Sequence, residues 1–294
     1  IRKMFNKSLK YDKVINFTLG EPDFTASQNV VEAGCQAIMN GNTKYSENAG
    51  ILPLRQEISK ILLKEYEVYY NPKNEITVTV GAMGALYLTL KSILNPGDEV
   101  IICEPFWTNY LQQVKMCGGV PVLISCKEEN DFMLNLQDLE NAITKKTKAI
   151  LLNSPNNPTG SVLNLENLKG IAQIAQKNKV IVISDEVYKG ILYDDKDYSS
   201  IASLEGMKER TIVINSFSKE YAMTGWRIGA KEFEECDRGT RKAVVYGLIT
   251  ATCFSVTFAM SGHFIVHIFT DDAQMINLVV RLLIVDIFLE FGRV

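Results

Sequence analysis

One lysine and the polar residues around it are the part of this sequence best suited to covalent chemistry. Lys219 follows a strand-like run, with Ser216 three residues before it and Arg227 eight residues after it. A lysine amine attacks carbonyl carbons when burial or a neighbouring cation disfavours its protonated form. Serine and arginine can together bind a phosphate monoester, the arginine through two parallel hydrogen bonds. A Schiff-base lysine beside phosphate ligands is what pyridoxal phosphate requires; the alternative is an ordinary exposed loop lysine.

Composition and charge fit a metabolic enzyme and argue against a nucleic-acid-binding surface. The 294 residues are 47% hydrophobic, enough to bury the core of one large domain or two smaller ones. The net charge is −3 and no arginine–lysine stripe is present. The six cysteines include no Cys-x-x-Cys pair, which predicts free thiols in a reducing, cytoplasmic compartment. Because the chain does not begin with methionine, we expect an upstream piece to be absent.

Short β-branched runs alternate with longer amphipathic runs through the middle of the chain. The predicted strands span residues 75–81, 99–104, 120–125, 149–155, 180–186 and 211–217. The predicted helices span residues 51–66, 82–94, 108–117 and 164–178. Several strands lack in–out alternation, as expected when both faces of a sheet are covered. The pattern predicts an α/β fold with a mostly parallel sheet and helices on both faces.

Polar or glycine-rich segments follow these strands, at the edge where open parallel sheets bind ligands. Residues 81–85 open a helix whose backbone N–H groups would suit a phosphate. Residues 104–110 are rich in aromatics, residues 153–160 in asparagine and proline, and Asp185 ends the fifth strand. Each segment alone has an ordinary explanation as tight packing, core or turn. Their coincidence at one edge, with Lys219 after the sixth strand, predicts a ligand site.

From residue 15 to about residue 230, these motifs resemble the class I/II aminotransferases, specifically the aspartate/aromatic aminotransferase-like branch of the fold-type I pyridoxal phosphate enzymes. The motifs occur in the family's order and at similar spacing. The resemblance implies a large domain with a seven-stranded, mostly parallel sheet. It also implies transfer of an amino group between an L-amino acid and a 2-oxo acid. A homodimer is implied as well, because Tyr45 matches a tyrosine that reaches the cofactor phosphate bound by the other subunit.

The resemblance assigns catalytic roles to three residues. Lys219 matches the lysine that carries the cofactor as a Schiff base and moves the proton. Asp185 matches the carboxylate that pairs with the pyridine nitrogen, which keeps the ring able to accept electrons. Tyr188 matches a hydrogen-bond donor to the phenolic oxygen, which stabilises the phenolate.

The resemblance also assigns residues that bind the cofactor and the substrate. The cofactor-binding positions, besides the three catalytic ones, are Tyr45, Ala82, Met83, Trp107, Asn157, Ser216 and Arg227. Four of these match phosphate-binding positions, namely Ala82, Met83, Ser216 and Arg227. Trp107 matches the aromatic ring that stacks on the cofactor, and Asn157 a second donor to the phenolic oxygen. Gly20, Trp107 and Asn157 match positions that contact the substrate amino acid, and Asn153 lies beside them.

The C-terminal tail does not share the resemblance. We therefore predict an N-terminal segment at 1–19, a cofactor-binding large domain at 20–230 and an unassigned apolar tail at 231–294. Residues 243–270 contain no Asp, Glu, Lys or Arg. A shifted reading frame, a divergent buried completion of the large domain and a membrane span are the open interpretations, although Thr, Ser and Gly disfavour the last. His263 and His267 lack a third ligand, so no metal site is predicted.

Three functions stay open at this point. Transamination is the leading one, and the stretch 222–227 is more similar to the transaminase branch than to the pyridoxal phosphate-dependent carbon–sulfur β-lyases. A catalytically impaired cofactor-binding protein is the third, because the family's small domain normally supplies an arginine for the substrate carboxylate. Only Arg293 is a candidate for that arginine, so we expect cofactor binding through Lys219 with poor transamination. The sequence does not predict the preferred amino donor.

Overall fold

A computed structural model describes residues 20–193 and 197–232, together with residues 8, 10, 11, 14 and 15. They belong to the unit Ile1–Asp237. The predictions for the tail, including its three interpretations, Arg293 and the histidine pair, lie outside the described residues. Within the described part of the chain, no helix is both long and apolar enough to cross a membrane.

Seven strands form one sheet, in the order β1-β7-β6-β5-β4-β2-β3. The strands are β1 (Ile76–Val80), β2 (Glu99–Glu104), β3 (Val120–Ser125), β4 (Thr147–Asn153), β5 (Ile181–Asp185), β6 (Thr211–Ser216) and β7 (Ile228–Glu232). β7 runs antiparallel to both of its neighbours, and the remaining pairs are parallel. The mostly parallel sheet and its six individually predicted strands are confirmed, to within two residues at each end.

The strand that the sequence did not reveal is β7. Its five residues include a glycine and two charged residues, so it lacks the apolar run typical of a buried strand. It is defined by backbone pairing with β1 on one side and β6 on the other. Such pairing depends on contacts distant in sequence, which a local pattern does not contain.

Helices cover both faces of the sheet, as predicted. They are α1 (Gln28–Met39), α2 (Leu52–Tyr66), α3 (Gly81–Ile93), α4 (Asn109–Met116), α5 (Leu136–Ala142), α6 (Leu165–Asn178) and the single turn α7 (Phe217–Glu220). Ile101, Ile150 and Val182 pack in one buried cluster with residues of α5 and α6. Their strand neighbours Ile102 and Leu151 pack in another, with residues of α3 and α4. Because alternate strand residues enter opposite clusters, both faces of β2 and β4 are buried.

Two strands run directly into helices at the carboxyl edge of the sheet. β1 enters α3 at Gly81, whose φ of +70° is readily adopted by glycine and costly for residues with a Cβ atom. β6 enters α7 through Ser216, whose side chain accepts a hydrogen bond from the backbone N–H of Ser218 at 3.1 Å. These turns place the start of α3 and the start of α7, which carries Lys219, at the same edge of the sheet.

Candidate active site

The parallel register of β4, β5 and β6 brings the central polar residues together. Asn153 is the register partner of Asp185, which in turn pairs with Ile214 on β6. The Asn153 side-chain amide donates to the backbone carbonyl of Asp185 at 3.0 Å. Its oxygen accepts the backbone N–H of Asn157 at 2.8 Å. Asn153 therefore fastens the turn after β4 to the end of β5.

Asp185 is a buried carboxyl group at the end of a central strand, 6% exposed. Its Oδ2 accepts a hydrogen bond from the Tyr110 hydroxyl at 2.6 Å, and its Oδ1 accepts the backbone N–H of Val187 at 3.3 Å. Burial raises the pKa of Asp185 to about 6, and the two hydrogen bonds oppose this rise by favouring the anion. The site thus holds a carboxyl group that can receive and stabilise a cation.

Tyr188 and Asn157 form a second hydrogen-bonding pair beside Asp185. The Asn157 side-chain amide donates to the Tyr188 hydroxyl at 3.2 Å. Burial raises the pKa of Tyr188, an effect that the Asn157 donor partly offsets. The phenol therefore stays protonated at neutral pH and can donate its own hydrogen bond onward.

Lys219 lies on the short helix α7, after the end of β6. Its ammonium group donates to the carbonyl of Gly20 and lies 5.9 Å from the centre of the Tyr188 ring. Burial lowers the pKa of Lys219, Arg227 lowers it further, and Glu21 partly opposes both. A lowered pKa increases the fraction of free amine, which is the nucleophilic form.

Arg227, one of the predicted phosphate ligands, lies against the start of α3. A Cβ atom placed on Gly81 would lie 2.4 Å from Nη2 of Arg227, so the guanidinium occupies the space that glycine leaves open. Nη1 of Arg227 donates to the carbonyl of Thr224 at 2.9 Å. Ala82 follows Gly81 on α3, while Ser216 Oγ lies 2.9 Å from Ser218 Oγ. The arrangement combines a helix N-terminus, a guanidinium and hydroxyl groups, which together suit an anion.

The other residues predicted to bind the cofactor or the substrate do not all lie in one cluster. Trp107 is half-buried and meets the Tyr110 ring edge-on, with centroids 5.5 Å apart. The half-exposed Met83 lies against α4, where its sulfur is 3.4 Å from Nε2 of Gln113. Gly20 contributes its carbonyl to Lys219, and the Tyr45 side chain is fully exposed.

Tyr110 is the residue of this site to which sequence reasoning gave no role. It is 2% exposed and touches Asp185 although the two residues are 75 positions apart. The available signal was its spacing, three residues after Trp107 at the start of an amphipathic helix. That spacing brings two aromatic residues to the start of one helix, but it does not reveal the strand that they face.

Comparison with known proteins shows which family this chain is similar to. The model of the family described as aminotransferase class I and II matches residues 12–253, further along the chain than the motifs indicated. An aspartate aminotransferase from Pyrococcus abyssi is 43% identical over 258 residues, covering 88% of this chain and 66% of its own length. An aspartate aminotransferase from Bacillus sp. (strain YM-2) is 46% identical over 217 residues, covering 74% of this chain and 55% of its own length. This chain therefore spans less than two thirds of these relatives.

Solved structures show the same fold. The aromatic aminotransferase from Pyrococcus horikoshii OT3 superposes with a TM-score of 0.77 at 40% identity, covering 82% of this chain and 65% of its own length. The Thermus thermophilus aspartate aminotransferase with maleate gives a TM-score of 0.79 at 35% identity, covering 85% and 64%. The predicted fold-type I architecture is confirmed. Together, the matched motifs, the fold and the length of the family match show that the chain belongs to the class I and II aminotransferases, a family that depends on pyridoxal phosphate.

Proposed function

We propose that the protein is a pyridoxal phosphate-dependent aminotransferase that moves an amino group between an L-amino acid and a 2-oxo acid. The observation that carries the proposal is the shared location of Lys219, Tyr188 and the buried Asp185 at one edge of one sheet. The site combines three groups of different chemistry, namely a lysine with a lowered pKa, a phenol and a buried carboxylate. Together, the three groups fit pyridoxal phosphate more specifically than any one of them does alone.

The residues fit pyridoxal phosphate at three points. Asp185 would accept a hydrogen bond from the protonated ring nitrogen, since its carboxylate is buried and already oriented by two hydrogen bonds. Tyr188 and Asn157 would donate to the phenolic oxygen. Arg227, Ser216 and the start of α3 would hold the phosphate. When bound, the cofactor supplies an electron-accepting ring that stabilises negative charge on the substrate α-carbon.

Lys219 would have two tasks. Its amine would bind the cofactor aldehyde covalently between reactions, and after release it would move the proton to and from the substrate α-carbon. Covalent attachment and removal of the α-proton both need an uncharged amine, and burial together with Arg227 lowers the pKa of Lys219 in that direction. The Gly20 carbonyl, which accepts from this amine, would hold it in place.

Substrate recognition and assembly are further parts of the proposal. Gly20, Trp107 and Asn157 would contact the substrate, and the names of the relatives make aspartate and aromatic amino acids the first donors to test. The exposed Tyr45 would reach the second subunit of a homodimer, with residues 20–230 forming the cofactor-binding domain. A cytoplasmic location is part of the same proposal. The aminotransferase relatives favour transamination over the carbon–sulfur lyase and the impaired binding protein.

Covalent labelling tests the proposal. Purified protein mixed with pyridoxal phosphate should develop a visible absorbance band, and borohydride should then fix the cofactor on Lys219 in peptide mapping. Lys219→Ala should abolish the adduct, while Lys189→Ala, which removes another part-buried lysine, should leave it. Adding aspartate or an aromatic amino acid should change the spectrum of the unmodified protein. An adduct on another lysine would contradict the assignment.

A further inference from the structure

The contact between Tyr110 and Asp185 joins a helix on one face of the sheet to the end of a central strand. The donor–acceptor distance is 2.6 Å, at the short end for a hydroxyl and a carboxylate. The two side chains are 2% and 6% exposed, so water does not compete with this hydrogen bond. Tyr110 is further held by Trp107, whose ring packs edge-on at 5.5 Å. The Tyr110 side chain is therefore held at its ring by Trp107 and at its hydroxyl by Asp185.

The groups facing Asp185 pull its protonation in opposite directions. Burial and the neighbouring Glu186 carboxyl raise its pKa, whereas the Tyr110 hydroxyl and the Val187 N–H lower it. Burial and the charge of Asp185 also raise the pKa of Tyr110, so this hydroxyl keeps its proton and can only donate to the carboxylate. Tyr188 is the other titratable neighbour, and burial raises its pKa as well. Tyr110 is thus the side chain that favours the anionic form of Asp185.

We propose that Tyr110 is a positioning residue, which orients the Asp185 carboxylate and keeps it ionised toward the cofactor ring. This inference rests on the proposed function, because it is through Asp185 that Tyr110 would act. Tyr110 donates to Oδ2 from the α4 side and the Val187 N–H donates to Oδ1, so each oxygen keeps one lone pair for a ligand cation. Removing the hydroxyl would free the carboxyl group to rotate and would favour its protonation.

The test compares wild-type protein with Tyr110→Phe, which keeps the ring and its packing but removes the donor. In the cofactor-loaded enzyme, the acidic limb of the kcat/KM profile should move to higher pH by about one unit or more. Tyr70→Phe is the matched control, since Tyr70 is a fully buried tyrosine of a different core cluster. The control should leave the limb in place, and an unchanged limb in Tyr110→Phe would overturn the proposal.

A second measurement does not depend on activity. In cofactor-free protein, carbon NMR of labelled aspartate should show Asp185 titrating at higher pH in Tyr110→Phe than in wild type, with Asp185→Asn identifying the signal. If this shift appears but neither protein binds pyridoxal phosphate added afterwards, the proposed function would be refuted while the contact would stand. The same titration curve in both proteins would refute the role of Tyr110 alone.

A double-mutant cycle shows whether Tyr110 acts through Asp185. The rate of amino-group transfer in a single turnover should fall at least roughly tenfold for Tyr110→Phe in the wild-type background. In the Asp185→Asn background, the same change should have almost no further effect. Independent effects of the two substitutions would contradict the proposal, since a purely structural tyrosine would slow both backgrounds equally.

Discussion

The two sides of the candidate site are built differently. On the Asp185 side, the buried carboxyl group takes hydrogen bonds from Tyr110 and Val187, and Asn153 fastens the neighbouring turn. On the Arg227 side, the side chain is exposed and its Nη1 donates a hydrogen bond to the carbonyl of Thr224, three residues away. One side is fixed by strand register and burial, and the other by a turn and a glycine.

The two sides would have different tasks in the proposed reaction. A carboxylate that controls ring electronics must be placed and charged before the ligand arrives, because an oriented group does not reorganise during the reaction. A phosphate ligand chiefly supplies affinity, and an exposed guanidinium keeps its hydration until it binds. We therefore expect substitutions on the Asp185 side to change turnover and those on the Arg227 side to change cofactor affinity.

The largest expected effect is the loss of turnover in Asp185→Ala. The cofactor should still bind, because Lys219 and the phosphate ligands remain, but transamination should fall by several orders of magnitude. Steady-state kinetics at saturating cofactor, compared with Arg227→Lys, would separate the two sides. Near-normal turnover in Asp185→Ala, or an equal loss of turnover in Arg227→Lys, would break the distinction.

The second effect concerns the stability of the cofactor-free protein. Burial raises the pKa of Asp185 from 3.8 to about 6, so the folded state binds this proton more tightly than the unfolded chain does. Protonated Asp185 therefore favours the folded state, and this contribution is lost as pH rises from about 4 to about 6. Above that range the buried charge lowers the free energy of unfolding by roughly 3 kcal/mol relative to the protonated form. Asp185→Asn should recover up to about 3 kcal/mol at pH 8 and less than about 2 at pH 5.

Urea unfolding of the cofactor-free protein at both pH values measures this gain. Asp23→Asn is the control, because it removes an exposed carboxylate and should change the free energy of unfolding little at either pH. A variant that is both more stable and inactive would show that Asp185 is kept for function at a cost in stability. If Asp185→Asn were destabilising at pH 8, the burial argument would fail.

The smallest expected effect is on the Arg227 side, at Gly81, for which Gly97 in the loop between α3 and β2 is the matched control. Gly81 and Gly97 have φ values of +70° and +90°, so alanine is strained at both positions. A new Cβ atom would lie 2.4 Å from Arg227 at position 81 but would meet nothing within 4 Å at position 97. Gly81→Ala should therefore raise the cofactor dissociation constant roughly tenfold, the value of one hydrogen bond to a charged group.

Spectroscopic titration with pyridoxal phosphate measures both alanine variants. Both should lose similar stability from backbone strain, while only Gly81→Ala should lose affinity. Equal dissociation constants would show that the guanidinium moves aside freely. The close approach of Arg227 to α3 would then make no contribution to cofactor affinity.

The sequence by itself determined the types of the reactive residues and the elements that carry them. Lys219, Asp185 and Tyr188 could be placed at or just after the ends of strands because apolar runs are visible locally, and the family resemblance supplied their expected roles. Four helices were predicted to within a residue for the same reason. Side-chain chemistry and hydrophobic period are properties of short segments, so a single sequence contains them.

Tertiary structure decided which of these residues touch. The Tyr110–Asp185 hydrogen bond spans 75 positions, and the Lys219–Gly20 contact spans 199. β7 exists as a strand because β1 and β6 accept it between them, and Arg227 approaches α3 because Gly81 lacks a Cβ atom. Strand order, register and close backbone approach arise from packing the whole sheet, and no short stretch of the chain encodes them.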